Sequence, residues 1–217
     1  MDEPVRIKFC GITSQDDARA AVEAGAWAIG MIFWPSSPRA CDPGEAQAIG
    51  ARLRREVELA GVFVNSSLDE IGALAEVVPL SLIQLHGDEG PSFCVEVARR
   101  TGARVIKARP VHEAADIQDL DRFRTDFHLL DTHRKGMRGG TGEVFDWDLV
   151  EQRRTDVPLI LSGGLNSSNV GEAITATEPF AVDVASGTES APGVKDHAEL
   201  AAFAEAVQAS DSSTLVE

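Results

Sequence analysis

Short apolar runs recur along the whole chain with helical patterns between them, and this alternation most constrains the fold. Val62-Phe63-Val64 and Leu129-Leu130 lie in near-continuous apolar segments, which is typical of strands that are buried on both faces. Successive runs are separated by the length of one strand-and-helix unit. The predicted strands cover residues 5–10, 28–33, 58–64, 80–86, 104–108, 127–131, 159–162 and 181–185.

The segments between these runs carry helix signals. Gly25 and Gly102 follow helical patterns at the position that glycine favours after a helix, and Pro43 stands near a helix start, where proline is tolerated. The predicted helices cover residues 15–24, 43–55, 67–77, 91–101, 113–124, 145–153, 167–175 and 196–207. Eight strands alternating with eight helical segments, with no linker between them, predict an α/β protein, a single (β/α)8 TIM barrel.

We expect one domain over residues 1–217, with residues 210–217 as a frayed polar tail. A doubly wound sheet is the structural alternative, but such sheets rarely contain eight such regular units.

Composition and charge exclude several classes of protein. No apolar run approaches the roughly 20 residues that cross a bilayer, and the acidic N-terminus does not resemble a secretory signal, so we expect a cytoplasmic protein. The net charge of −15 argues against nucleic acid and membrane as partners. Cys10, Cys41 and Cys94 are odd in number and form no CxxC motif, which argues against a disulfide framework and a zinc site.

Cys10 stands where the first predicted strand ends and a helix is about to begin. Gly11 permits a sharp turn after it, and Thr13 or Ser14 can cap the helix that starts near Gln15. Functional side chains of parallel α/β folds collect at the carboxyl ends of the strands. Cys10 is therefore a candidate nucleophile or base, although a free cysteine most often packs as a small buried hydrophobe.

The other predicted strands are also followed by polar or glycine-rich residues. His86 is a candidate ligand, base or wall residue, and no second histidine or carboxylate stands at metal-ligand spacing, so no metal site is predicted. Cys41 and Cys94 fall in a loop and a helix and are interpreted as packing residues. The residues at these strand ends are Cys10, 35–39, Asn65, 84–87, Arg109, Asp131, 162–164 and 186–187.

Two glycine-containing turns follow the seventh and eighth strands. In Gly163-Gly164 and Ser186-Gly187, backbone N–H groups can approach an anion closely because glycine has no Cβ. Barrels frequently hold a phosphate between these two loops, so the sequence predicts a phosphate site there. The polar segment 132–142 is either a flexible loop or a mobile basic lid over an anionic substrate.

Seven short motifs, in order, resemble the phosphoribosylanthranilate isomerase family over residues 5–207. They are Lys8-Phe9-Cys10-Gly11-Ile12-Thr13; Ser37-Pro38-Arg39; Gln84-Leu85-His86-Gly87; Leu129-Leu130-Asp131; Gly139-Gly140-Thr141-Gly142 with Phe145-Asp146-Trp147; Ser162-Gly163-Gly164-Leu165; and Val182-Asp183-Val184-Ala185-Ser186-Gly187 with Lys195-Asp196. Two residues depart from the family pattern: Ser162 stands where alanine is frequent, and Ala185 stands where serine is usual.

The resemblance implies an Amadori rearrangement of N-(5-phosphoribosyl)anthranilate to 1-(2-carboxyphenylamino)-1-deoxyribulose 5-phosphate, the third step of tryptophan synthesis from chorismate. It implies that Asp131 is the acid that opens the ribose ring and Cys10 the base that takes the proton from C2. Arg39 is the expected partner of the anthranilate carboxylate, and the small-molecule phosphosugar substrate needs no cofactor. The other expected substrate-binding residues are Gln84, His86, Gly163, Gly164, Ser186 and Gly187.

Two alternatives remain open at this level. The first is the related phosphosugar isomerase of histidine biosynthesis, whose strand-one residue is an aspartate, so that Cys10 argues against it. The second is a non-catalytic barrel that binds a phosphosugar. The sequence makes no prediction of the oligomeric state.

Overall fold

The computed structural model describes residues 4–111, 113–131, 150 and 152–213. The polar segment 132–142 and most of the predicted helix 145–153 lie outside these residues, as do the motifs at 139–142 and 145–147.

Eight parallel strands form a closed barrel in chain order, with β8 paired to β1. The predicted TIM barrel is therefore confirmed, and the sheet is not doubly wound. Each strand lies within two residues of its predicted bounds. The strands are β1 Arg6–Cys10, β2 Ala28–Ile32, β3 Glu58–Phe63, β4 Leu82–Leu85, β5 Arg104–Pro110, β6 Phe127–Asp131, β7 Leu159–Ser162 and β8 Ala181–Val184.

Seven described helices surround the barrel. Ser14 caps the first of them by accepting a hydrogen bond from the N–H of Asp17 at 3.1 Å, and Asp42 caps the second just before Pro43. After β8, a single 3-10 turn at Ser186–Thr188 leads into a short hairpin of β9 Glu189–Ala191 and β10 Val194–Lys195. The helices are α1 Gln15–Glu23, α2 Pro43–Leu53, α3 Leu68–Val77, α4 Pro91–Thr101, α5 Ala114–Leu120, α6 Val170–Thr177 and α7 His197–Ser213.

Three helix bounds differ from the sequence prediction by three or more residues, and the first is the end of α5, which lies at Leu120 rather than at 124. Helix α6 begins at Val170 rather than at 167 because Asn169 Oδ1 accepts from the N–H of Asn166, which holds this segment in a turn. Helix α7 continues to Ser213, six residues beyond its predicted end at 207. None of the described helices combines the length and hydropathy that a membrane crossing requires.

The apolar residues fall into an outer layer and an inner floor. On β1, Ile7 and Phe9 pack under the helices, whereas the alternate residues Lys8 and Cys10 point into the barrel. Apolar side chains fill the interior below the site and leave its upper part to polar groups. This floor consists of Ala28, Ala60, Leu82, Ile106, Ala108, Phe127, Leu129, Ile160 and Ala181.

Candidate active site

Cys10 ends β1 inside the mouth of the barrel and is 6% exposed. Its neighbour on β2 is Gly30, where a Cβ atom would lie 2.8 Å from Cys10 Sγ and 3.1 Å from Lys8 Nζ. A side chain at Gly30 would therefore displace the thiol and the ammonium group. Gly30 is not among the residues that the sequence predicted for the site, although an isolated glycine in a strand often marks such a close approach.

Lys8 forms a buried ion pair below the thiol. Its side chain is fully buried, and its Nζ donates to Asp183 Oδ1 at 2.6 Å across the β1–β8 pairing that closes the barrel. Asp183 Oδ2 accepts a second hydrogen bond from Ser162 Oγ at 2.9 Å. Ser162, one of the two departures from the family pattern, thus helps to position the Asp183 carboxylate.

The surroundings of Cys10 favour the neutral thiol. Burial raises the pKa of Cys10, and the Asp183 carboxylate adds to the rise, while the Lys8 ammonium partly opposes it. Burial also opposes the charge on Lys8, but Asp183 and Cys10 together outweigh burial, so that the pKa of Lys8 lies above its ordinary value. At neutral pH Lys8 is therefore charged, and most Cys10 side chains carry their proton.

Asp131 ends β6 and faces His86, which follows β4. Asp131 Oδ2 lies 3.6 Å from His86 Nε2, and the two side chains are 29% and 28% exposed. Burial holds the pKa of His86 below its ordinary value in spite of Asp131, so the imidazole is neutral at pH 7.

Gln84 lies beside His86, with its Nε2 3.5 Å from His86 Nδ1. Its side chain is buried, and its Oε1 has no hydrogen-bond partner among the described residues. A buried acceptor without a partner is destabilising, and a hydroxyl or N–H group of a ligand would satisfy it.

Arg39, in the loop after β2, forms an ion pair with Glu189 of β9. Its Nε lies 2.9 Å from each carboxylate oxygen, and its Nη2 donates to Glu189 Oε2 at 2.7 Å. The pair lies over Gly11, where a Cβ atom would come within 3.0 Å of Arg39 Cδ, and so next to Cys10. Arg39 is a predicted site residue, whereas Glu189 is not.

The two predicted phosphate turns lie against each other. Gly163 and Gly164 adopt φ values of 103° and 67°, which few residues other than glycine tolerate. At Gly187 a Cβ atom would lie 2.0 Å from the carbonyl oxygen of Leu165, so the turn after β8 contacts the turn after β7. The N–H groups of Gly164, Ser186 and Gly187 make no hydrogen bond to any described residue.

The predicted site residues thus lie near the carboxyl ends of the strands or in the loops that follow them, at one end of the barrel. Cys10 is grouped with Lys8, Asp131 with His86 and Gln84, and the glycine turns with each other. Cys10 and Asp131 are not in contact, because β7 and β8 separate their strands on the shorter way round the barrel.

Other strand-end candidates have structural partners, and Arg109, for example, pairs with Asp119 of α5. Asn65 accepts from the N–H of Asp88 through its side chain at 2.7 Å. Cys41 and Cys94 are buried in the packing between barrel and helices. Within the described ranges, no group of three or more His, Cys, Asp or Glu side chains has a geometry that would hold a metal ion.

Comparisons with known proteins agree on one family. A family model described as N-(5'-phosphoribosyl)anthranilate (PRA) isomerase matches residues 7–206. The enzyme of that name from Pseudomonas putida KT2440 is 48% identical over 206 residues, which cover 94% of this chain and 98% of the relative.

Two similar solved structures carry the same name. Phosphoribosyl anthranilate isomerase from Thermotoga maritima has a TM-score of 0.84 and 40% identity, covering 94% of this chain and 99% of its own. A structure of such an isomerase in complex with reduced 1-(o-carboxyphenylamino)-1-deoxyribulose 5-phosphate has a TM-score of 0.81 and 39% identity, with the same coverage of both chains. The chain therefore belongs to the N-(5'-phosphoribosyl)anthranilate isomerase family.

Proposed function

We propose that this protein converts N-(5'-phosphoribosyl)anthranilate to 1-(2-carboxyphenylamino)-1-deoxyribulose 5-phosphate in tryptophan synthesis, with Asp131 as acid and Cys10 as base. The observation that carries the proposal is the presence of a thiol and a carboxylate at the same end of a barrel of this family. We infer a cytoplasmic location from the biosynthetic nature of the reaction.

The first chemical step is the opening of the ribose ring. Asp131 donates a proton to the ring oxygen as the bond between that oxygen and C1 breaks, which leaves an iminium group between C1 and the anthranilate nitrogen. Asp131 must therefore carry a proton when the substrate binds.

The second step moves a proton from C2. Cys10, as the thiolate, takes this proton, and the electron pair of the C–H bond forms an enol-amine that becomes the ketone product by proton transfer. The ammonium group of Lys8 favours the thiolate form of Cys10. Substrate and product contain the same atoms in the same number, so the rearrangement consumes no oxidant or reductant.

The two anionic ends of the substrate require two binding regions. We assign the phosphate to the turns at Gly163-Gly164 and Ser186-Gly187, because the N–H groups of Gly164, Ser186 and Gly187 make no hydrogen bond to any described residue. We assign the ring carboxylate to Arg39, since a guanidinium group binds a carboxylate through two parallel hydrogen bonds. Gln84 and His86 then line the middle, where Gln84 Oε1 can accept from a sugar hydroxyl.

Turnover of the substrate, followed by the loss of its fluorescence, tests this proposal. The parent protein should convert N-(5'-phosphoribosyl)anthranilate. Cys10→Ala and Asp131→Asn should each lower kcat by about 10²- to 10⁴-fold, because each removes one positioned proton-transfer group. Both variants should still bind the reduced product.

Cys94→Ala is the matched control, because Cys94 is a buried thiol that lies outside the barrel interior. It should keep the parent kcat. A parent protein without turnover would refute the proposed function, and a Cys10→Ala or Asp131→Asn variant with the parent kcat would refute the role of that residue.

A further inference from the structure

We propose that Glu189 is a positioning residue that holds Arg39 with one edge of its guanidinium group turned towards the ring carboxylate of the substrate. This inference rests on the proposed function, because it requires a substrate with an aromatic carboxylate. It adds a residue that determines specificity to the acid, the base and the phosphate turns.

The contacts of Arg39 are divided between its two edges. Glu189 occupies the edge formed by Nε and Nη2, with separations of 2.7 to 2.9 Å. Nη1 makes no hydrogen bond to any residue in the described part of the chain. A guanidinium group has five N–H donors in a rigid plane, so the edge formed by Nη1 and Nη2 can bind a second carboxylate. Arg39 is thus able to pair with Glu189 and with the substrate at the same time.

Glu189 is itself held firmly. Its side chain is 3% exposed, and Lys195 Nζ lies 3.6 Å from its Oε1. The same Lys195 Nζ donates to the carbonyl of Ala185 at 2.9 Å and to Thr188 Oγ1 at 3.2 Å. Glu189 therefore connects the loop that carries Arg39 with the segment after β8 that contains Ser186 and Gly187.

The charges leave the site attractive to an anion. Arg39 and Lys195 are cations and Glu189 is an anion, so the three side chains together carry one net positive charge. Because Glu189 already restricts the rotamers of Arg39, less conformational entropy is lost when the substrate binds. The alternative role for Glu189 is competition. If its carboxylate only neutralised Arg39, it would compete with the ring carboxylate of the substrate and weaken binding.

These two roles predict opposite effects of Glu189→Gln, which keeps the size of the side chain and removes its charge. Two probes distinguish these roles. The first is the reduced product, which is reduced 1-(o-carboxyphenylamino)-1-deoxyribulose 5-phosphate, and the second is the same compound without its ring carboxylate. Calorimetry should show that Glu189→Gln weakens binding of the first probe by about 10- to 100-fold, because the charged hydrogen bonds between Arg39 and the ring carboxylate would be misaligned. Binding of the second probe should stay close to that of the parent.

Two further variants separate positioning from general damage. The double variant Arg39→Ala/Glu189→Gln should bind the first probe no more weakly than Arg39→Ala alone, because Glu189 acts through Arg39. Glu189→Asp, which restores the charge, should recover part of the lost affinity, and it serves as the test variant should Glu189→Gln fail to fold.

Glu56→Gln is the matched control, because it removes a carboxylate from an exposed arginine pair, Arg19–Glu56 at 2.8 Å, outside the site. It should bind both probes like the parent.

The outcomes distinguish this inference from the proposed function. A loss confined to the probe with the carboxylate supports the role of Glu189. Equal losses on both probes, no loss on either, or tighter binding of the first probe would overturn it. A parent protein that neither turns over the substrate nor binds the reduced product would overturn the proposed function and this role with it. A fully active parent whose Glu189→Gln variant behaves identically would overturn the positioning role alone.

Discussion

Cys10 combines a role that needs the thiolate with surroundings that favour the thiol. Burial inside the barrel raises its pKa, and Asp183 adds to the effect, while the ammonium groups of Lys8 and Lys195 oppose it. The base is therefore present as a small thiolate fraction at neutral pH.

The first prediction at the residue scale concerns the titration of Cys10. Because the pKa of Cys10 lies above the ordinary value, alkylation by iodoacetamide should be slow at pH 7. As the pH rises towards that pKa, the rate should increase about tenfold with each pH unit. Peptide-resolved mass spectrometry of the parent protein measures this rate for Cys10. Half-maximal reactivity below the ordinary thiol pKa would contradict the assignment.

A direct titration is more informative here than the pH dependence of activity. As pH rises, the thiolate fraction of Cys10 grows while the protonated fraction of a carboxyl group falls. These opposing trends act on the same rate. Labelling reports the thiol alone.

At the scale of single elements, the turns after β7 and β8 need glycine for their packing at the same positions where we propose that the phosphate binds. The backbone of Gly187 packs against the carbonyl of Leu165, so the two turns keep their relative placement only when residue 187 has no side chain. The proposed phosphate-binding N–H groups belong to these two turns. Their separation therefore affects substrate binding directly.

Gly187→Ala should raise KM for the phosphosugar substrate strongly. A Cβ atom at 2.0 Å from the Leu165 oxygen must push the turns apart, and the N–H groups would move with them. Steady-state kinetics measures the effect, with circular dichroism as a check that the barrel is folded.

Gly171→Ala is the matched control in the neighbouring helix α6. A Cβ atom there would have its nearest neighbour, Ser210 Cβ, at 3.9 Å, so this variant should keep the parent KM. In a helix, alanine is favoured over glycine by about 1 kcal/mol, so its stability should not fall. A folded Gly187→Ala variant with the parent KM would show that the phosphate binds elsewhere.

At the scale of the whole molecule, the barrel closes through an ion pair. Lys8 and Asp183 are 175 residues apart in sequence, yet they lie directly opposite each other on β1 and β8 with 2.6 Å between Nζ and Oδ1. Both groups are buried, so removal of one would leave the charge of the other without compensation.

Lys8→Met should lower the free energy of unfolding by about 3–5 kcal/mol, the usual effect of removing one partner from a buried pair. Urea denaturation measures this loss. The double variant Lys8→Met/Asp183→Asn should regain part of the stability, since the uncompensated carboxylate is gone.

Arg19→Met provides the comparison at the surface, where water screens the Arg19–Glu56 pair, and its unfolding midpoint should hardly change. An unfolding curve of Lys8→Met that coincided with that of the parent would show that the closing pair does not stabilise the barrel.

The sequence alone predicted the parts of this protein whose signals are local. The apolar runs located the eight strands, and Pro43 and Gly102 marked helix ends, because each signal lies within a few neighbouring residues. The strand ends then identified Cys10, Asp131 and the glycine turns as candidates, since all parallel strands of a barrel end on the same side. The family motifs added Arg39.

Tertiary structure decided which side chains meet. Arg39 and Glu189 are 150 residues apart, and nothing in the residues around either one indicates the other. The same holds for the ion pair of Lys8 with Asp183, which exists only because β8 returns to β1. The physical reason is that chain order and helix or strand period determine which way a side chain points. Barrel closure and loop packing determine what it contacts.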